Sequence, residues 1–92
     1  MIVGTLRVRL LLREARTLKD KRQVVQSVKE RLRQSFNVSI AEVDALENPR
    51  YAVLGMAMVC NEAHPIKQVL NEIVNALRAH PVAEFVDFEM EV

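Results

Sequence analysis

From Ile2 to Arg13 the chain alternates: Leu6, Val8, Leu10 and Leu12 fall on one side, Arg7, Arg9 and Arg13 on the other. A period of two with one apolar side predicts a strand with one buried face. The period then changes. Leu18, Val24, Val25, Val28 and Leu32 share one stripe at helical spacing, predicting an amphipathic helix that runs to about Ser35. Thr17 stands before it as an N-cap with Asp20 three residues on, a capping box in which Asp replaces Glu. Phe36 to Ala45 reads as a second strand of mixed phase, because Val38 and Ile40 argue for one face and Val43 and Ala45 for the other. A bulge near Ala41, or a partly apolar second face, reconciles them.

After the turn Glu47-Asn48-Pro49-Arg50, the segment Tyr51–Asn61 is apolar on both sides, with Leu54, Met56 and Met58 opposing Val53, Ala57 and Val59. That pattern predicts a central strand. His64-Pro65 opens a second helix, with Pro65 expected at the first helical position. Ile66, Val69, Leu70, Ile73, Val74 and Leu77 form its stripe, and His80-Pro81 ends it. Val82–Val92 is the last strand, with Val86, Phe88, Met90 and Val92 expected inward and Asp87, Glu89 and Glu91 outward. The order βαββαβ predicts an α+β ferredoxin-like sandwich: a four-stranded antiparallel sheet in the order 4-1-3-2 with two helices on one face. Residues 1–92 are read as a single domain, with no internal linker or repeat.

Charge sharpens the picture. The formal net charge of +1 conceals a division along the chain: residues 1–50 carry 11 Lys/Arg against 6 Asp/Glu, and residues 51–92 carry 2 against 6. A basic surface must therefore come from the first half. Thr17-Leu18-Lys19-Asp20-Lys21-Arg22 places three cations at a helix start, where the free N–H groups already carry about half a positive charge. An anion bound there would relieve the arrangement. Further along the helix, Arg22, Gln26, Lys29 and Arg33 recur on one stripe. Lys19, Lys21, Arg22, Lys29 and Arg33 are accordingly the candidate anion- or nucleic-acid-binding residues. Three or four phosphate contacts would give affinity a log–log salt slope of about −2 to −4. The competing reading is an ordinary solvated face whose long stems cover the core.

The arginine row of the first strand should be neutralised by Asp87, Glu89 and Glu91 of the last, its neighbour in this fold. RNA-binding domains of similar topology stack bases on aromatics of the central strands. Here only Tyr51, near the end of the third, is available. Leu11, Val53, Ala57 and Val59, joined by Val43 in one of the two phases of the second strand, give the helix-free sheet face an apolar character that predicts burial against a partner, most simply a homodimer.

No catalytic or metal constellation is evident. Small acylphosphatases share the element order, but the loop Arg13-Glu14-Ala15-Arg16-Thr17 lacks the glycines that would let backbone wrap a phosphate, leaving Arg16 and Asn37 as the only pair that could imitate theirs. Cys60 and His64 are a single pair, too few for a metal site. No cofactor is expected. One cysteine, early charge at the N-terminus and no apolar run of about 20 residues predict a cytoplasmic protein without a signal peptide or membrane span.

Two segments, Thr17-Leu18-Lys19-Asp20-Lys21-Arg22 and Phe36-Asn37-Val38-Ser39-Ile40-Ala41-Glu42-Val43-Asp44, resemble the signatures of the YlxP-like family of small bacterial proteins of unknown function. The resemblance covers almost the whole chain, with Thr17 where the family usually has Ser. It implies a ferredoxin-like fold and, through the translation-initiation and ribosome-maturation genes among which members are often encoded, work in translation. It implies no catalytic residue. The expected function is that of a non-enzymatic RNA- or ribosome-associated protein. The alternative is a dimeric regulatory module that binds a small anion or a partner protein.

Overall fold

A computed structural model describes residues 1–92. The elements follow as β1 (Ile2–Leu11), α1 (Leu18–Ser35), β2 (Ser39–Asp44), β3 (Tyr51–Cys60), α2 (Ala63–Arg78) and β4 (Glu84–Glu91). All strand pairs are antiparallel and the sheet order is β2-β3-β1-β4, the expected ferredoxin-like arrangement read from its other edge.

Both helices lie on one face of the sheet. Leu6, Val8 and Leu10 of β1 and Leu54 and Met56 of β3 meet Val25, Val28 and Leu32 of α1 and Ile66, Leu70, Ile73 and Leu77 of α2 in one buried cluster. α1 lies over β2 and β3, whereas α2 lies over β1, β3 and β4. α2 comes so near β1 that a methyl group on Gly4 would collide with Ile66, so glycine there sets the approach of helix to sheet.

Each edge strand carries a bulge; the one in β4 corrects the sequence reading, and the one in β2 is the first of its two alternatives. In β4, Arg9 opposes Asp87 and Leu10 opposes Phe85, leaving Val86 as the extra residue. The bulge reverses the phase: Val86 turns outward, 50% exposed, and Phe85 turns in to pack on the core. Val92 does turn to the helix side, its Cγ2 3.4 Å from where a Cβ on Gly4 would stand, but at the chain end it is 42% exposed. In β2 the shift falls between Glu42 and Asp44, so the bulged residue is Val43, two positions beyond the expected Ala41. Val43 lies over Gly55 on the helix-free side, where a Cβ on Gly55 would meet its Cγ1 at 2.8 Å.

The remaining differences lie at element ends. Phe36 caps α1 by donating its N–H to the Leu32 carbonyl at 2.8 Å, and β2 begins only at Ser39. α2 starts at Ala63, two residues earlier than expected, so Pro65 is its third residue. Proline is tolerated there because the first four helical N–H groups have no partner within the helix.

Candidate nucleic-acid interface

The capping box forms as expected. Thr17 Oγ1 accepts from the Asp20 N–H at 3.1 Å, and Asp20 Oδ2 accepts from the N–H groups of Thr17 and Arg16 at 3.2 and 3.0 Å. The Arg16 and Thr17 N–H groups hold the Asp20 carboxyl below its ordinary pKa. The chain thus supplies its own anion at the α1 terminus, and an external one is not needed there.

Lys21 is the main correction to the expected site. It is fully buried, with Nζ 2.7 Å from Glu42 Oε2. It also donates to the carbonyls of Ala45 at 2.7 Å and Tyr51 at 3.1 Å. Its charge is absorbed by β2 and the β2–β3 connection, so it offers nothing to a phosphate. The two segments that carry the family resemblance meet at this ion pair.

Lys19, Arg22, Lys29 and Arg33 remain on the outside of α1: three are exposed and Lys29 is half-buried. Arg33 donates through Nη2 to the Ile40 carbonyl at 3.1 Å, which steadies its guanidinium beside the edge strand β2. None of the four lies within ion-pair distance of a carboxylate, because all five ion pairs of the molecule belong to Arg7, Arg9, Arg13 and Lys21. Between Lys19 and Arg22 at one end and Glu30 at the other lies a shallow depression over Gln23, Gln26 and Ser27. Gln26 Nε2 donates to Glu30 Oε1 at 3.1 Å, so the one acid near the ridge is engaged by an amide. Arg31 falls on the opposite flank, lining the groove between the helices with Leu77 and His80.

The helix-free face has the opposite character. Arg9 pairs with Asp87 at 2.8 Å and Glu89 at 3.4 Å, as expected from strand adjacency. Arg13 pairs with Glu84 at 2.6 Å, and Arg7 turns to Asp44 of β2 at 2.9 Å. These contacts raise the guanidinium pKa values of Arg9 and Arg13 and lower the carboxyl of Glu84. The arginine row is therefore committed to carboxylates from both edge strands.

The expected interface residues do not form one exposed patch. Val53, although it points to this face, is 3% exposed and cannot contact a partner. Leu11 and Ala57 are half-buried. Val59 is open at 60%, and Val3, its cross-strand partner, is open at 49%; Val3 joins this face through the β1 alternation. Arg16 and Asn37 cannot act together, because the 18 residues of α1 between them separate them by about 27 Å.

The fold and this surface define a small ferredoxin-like α+β protein with one helical face of uncommitted positive charge. Residues 3–90 match the family described as "Protein of unknown function (DUF503)", and the chain belongs to that family. No curated protein matches the chain. No helix is long and apolar enough to cross a membrane.

Proposed function

We propose that this protein is a non-enzymatic RNA-binding or ribosome-associated factor that grips phosphate through Lys19, Arg22, Lys29 and Arg33. The observation that carries the reading is the partition of charge. Carboxylates pair with Arg7 and Arg9 of β1, with Arg13 just beyond it and with the buried Lys21, while the α1 ridge keeps its cations free of acid partners. Unpaired cations along a rigid helix suit a phosphate backbone, whose contacts position a protein without reading sequence. The resemblance to the YlxP-like family, with its translation-linked gene neighbourhoods, points the same way and makes a bacterial ribosomal particle the first partner to test.

Sedimentation with ribosomal particles is that test. The wild-type protein should co-sediment in low salt and be released as salt rises. A triple variant Arg22→Glu/Lys29→Glu/Arg33→Glu should remain in the supernatant while melting near the wild-type temperature. Unchanged association of a folded triple variant would remove α1 from the function.

A second reading has one observation in its favour: Val3 and Val59, paired across β1 and β3, are both open to water on the helix-free face. Self-association through that face would cover them. Light scattering that gives monomer mass at high concentration would rule it out.

A further inference from the structure

Resting on the reading above, we infer that the α1 ridge takes duplex, A-form RNA in preference to single-stranded RNA. Proteins hold single strands by stacking bases on aromatic side chains. This chain has four aromatic residues, one Tyr and three Phe, and none lies on α1. Phe36, Phe85 and Phe88 pack against the core, and Tyr51 is half-buried at the start of β3. The helix-free face, where proteins of this topology splay bases, has its arginines paired with Asp44, Glu84, Asp87 and Glu89. A flexible strand would thus lose its freedom on this protein without gaining a stacking partner.

A duplex presents its phosphates already in register, and the ridge is correspondingly stiff. Lys19 and Arg33 are separated by about 21 Å of helix axis at 1.5 Å per residue. The Arg33 guanidinium is tethered to Ile40, and the Lys29 stem is half-buried. Lys29 and Arg33 thus meet the duplex with part of their ordering cost already met, while Lys19 and Arg22 are ordered on binding.

The depression beside the cations adds a preference for RNA over DNA. A-form helices display 2′-hydroxyls in a wide, shallow minor groove. Gln23, Gln26 and Ser27 lie between Lys19, Arg22 and Glu30. The Gln26 amide N–H is taken by Glu30, leaving its carbonyl to accept from a hydroxyl. Glu30 repels phosphate, so the backbone should run along the Arg22–Lys29–Arg33 side while the sugars lie over the glutamines.

Fluorescence anisotropy in low salt can decide this, with three probes of one sequence: an RNA duplex of about 16 base pairs, the span of known double-strand-binding modules, its single strand, and the DNA duplex. The RNA duplex should bind at least tenfold more tightly than the single strand, the equivalent of about 1.4 kcal/mol. It should also bind more tightly than the DNA duplex, and Gln26→Leu should narrow that second gap. Arg22→Glu/Lys29→Glu, shown to be folded by its melting curve, should reduce the salt slope on the RNA duplex by about 2. Equal or tighter binding of the single strand, or of the DNA duplex, overturns the inference and leaves the RNA-binding reading standing. Retention of none of the three probes sinks both.

Discussion

The Lys21 ammonium lies 2.7 Å from Glu42 Oε2 with no exposure to water. That contact joins the first turn of α1 to β2. Two backbone carbonyls, of Ala45 and Tyr51, complete the shell around Nζ and bring in the β2–β3 connection. A cation in the first helical turn is opposed by the helix dipole, and a buried one needs partners for its charge and its protons. Glu42 supplies the opposite charge, and the two carbonyls accept two of the ammonium protons. The Lys-x-Lys-Arg run therefore divides by depth: Lys21 is an internal clamp, while Lys19 and Arg22 stay outside.

Removing one member of this pair should be costly, because the other charge stays buried. Lys21→Met should lower unfolding free energy by about 3–5 kcal/mol, the usual result of stranding a buried ion. Pairing it with Glu42→Leu should recover part of the loss, with a coupling of about 0.5–3 kcal/mol. Urea unfolding of the two single variants and the double variant measures this, and strict additivity would show that the contact contributes nothing.

This division marks where the sequence was legible. Element order, sheet order and the capping box at Thr17 and Asp20 follow from local periodicity and cap chemistry, which α1 and β1 carry within their own residues. The inward turn of Lys21 does not, because its cause is Glu42, 21 positions on in the numbering. The same holds for Val86 and Val43: a bulge is decided by the register with the neighbouring strand, so alternation alone places Val86 on the wrong face and leaves β2 open between a bulge near Ala41 and an apolar second face. Val53 occupies the expected face opposite Arg9 and Asp44, but alternation says nothing of how deeply it is covered there. Of the candidate site, Lys19, Arg22, Lys29 and Arg33 could be read from helical spacing. That their charge lacks acid partners depends on where Asp44, Glu84, Asp87 and Glu89 go.

Ala45 is the one non-glycine residue with positive φ, at 54°. The left-handed region costs an L-residue with a Cβ about 1–2 kcal/mol. Here Asp44 Oδ1 accepts from the Ala45 N–H at 2.7 Å and Lys21 binds its carbonyl, so the turn is held in place. Ala45→Gly should relieve the strain and raise stability by up to about 1 kcal/mol, less the entropy glycine returns to the unfolded chain. Thermal melting should show a rise of a few degrees; a fall would mean that the half-buried methyl outweighs the strain.

The α1 cap gives a conservative test. Thr17→Ser keeps an oxygen for the Asp20 N–H and should leave stability near wild type, whereas Thr17→Ala should cost about 1 kcal/mol. The mutations sit one turn from Arg22, so the salt slope for RNA should be the same in both variants. A slope change in Thr17→Ala would show that the cap also orders the ridge.

The pH response should be dominated, near neutrality, by His80. Its Nδ1 accepts from the N–H groups of Val82 and Ala83 at 3.2 and 3.0 Å, closing the turn between α2 and β4. Only the neutral ring can accept there, with its proton on Nε2. Burial, and then the charge of Arg31, hold the pKa below its ordinary value of 6.5. The unfolded chain therefore takes up a proton at a pH where the folded one has not. Stability from this group is complete above the unfolded value and is lost as pH falls below it and through the lowered folded value. Asp20 and Glu84 also have depressed pKa values, but their contributions are lost only below their ordinary values of 3.8 and 4.5, so the two windows are separate. His80→Gln keeps a side-chain acceptor and removes the titration. Melting temperatures recorded from slightly alkaline pH down to about pH 5 should fall for the wild type and stay nearly level for His80→Gln. Parallel declines in the two proteins would place the pH sensitivity somewhere other than this turn.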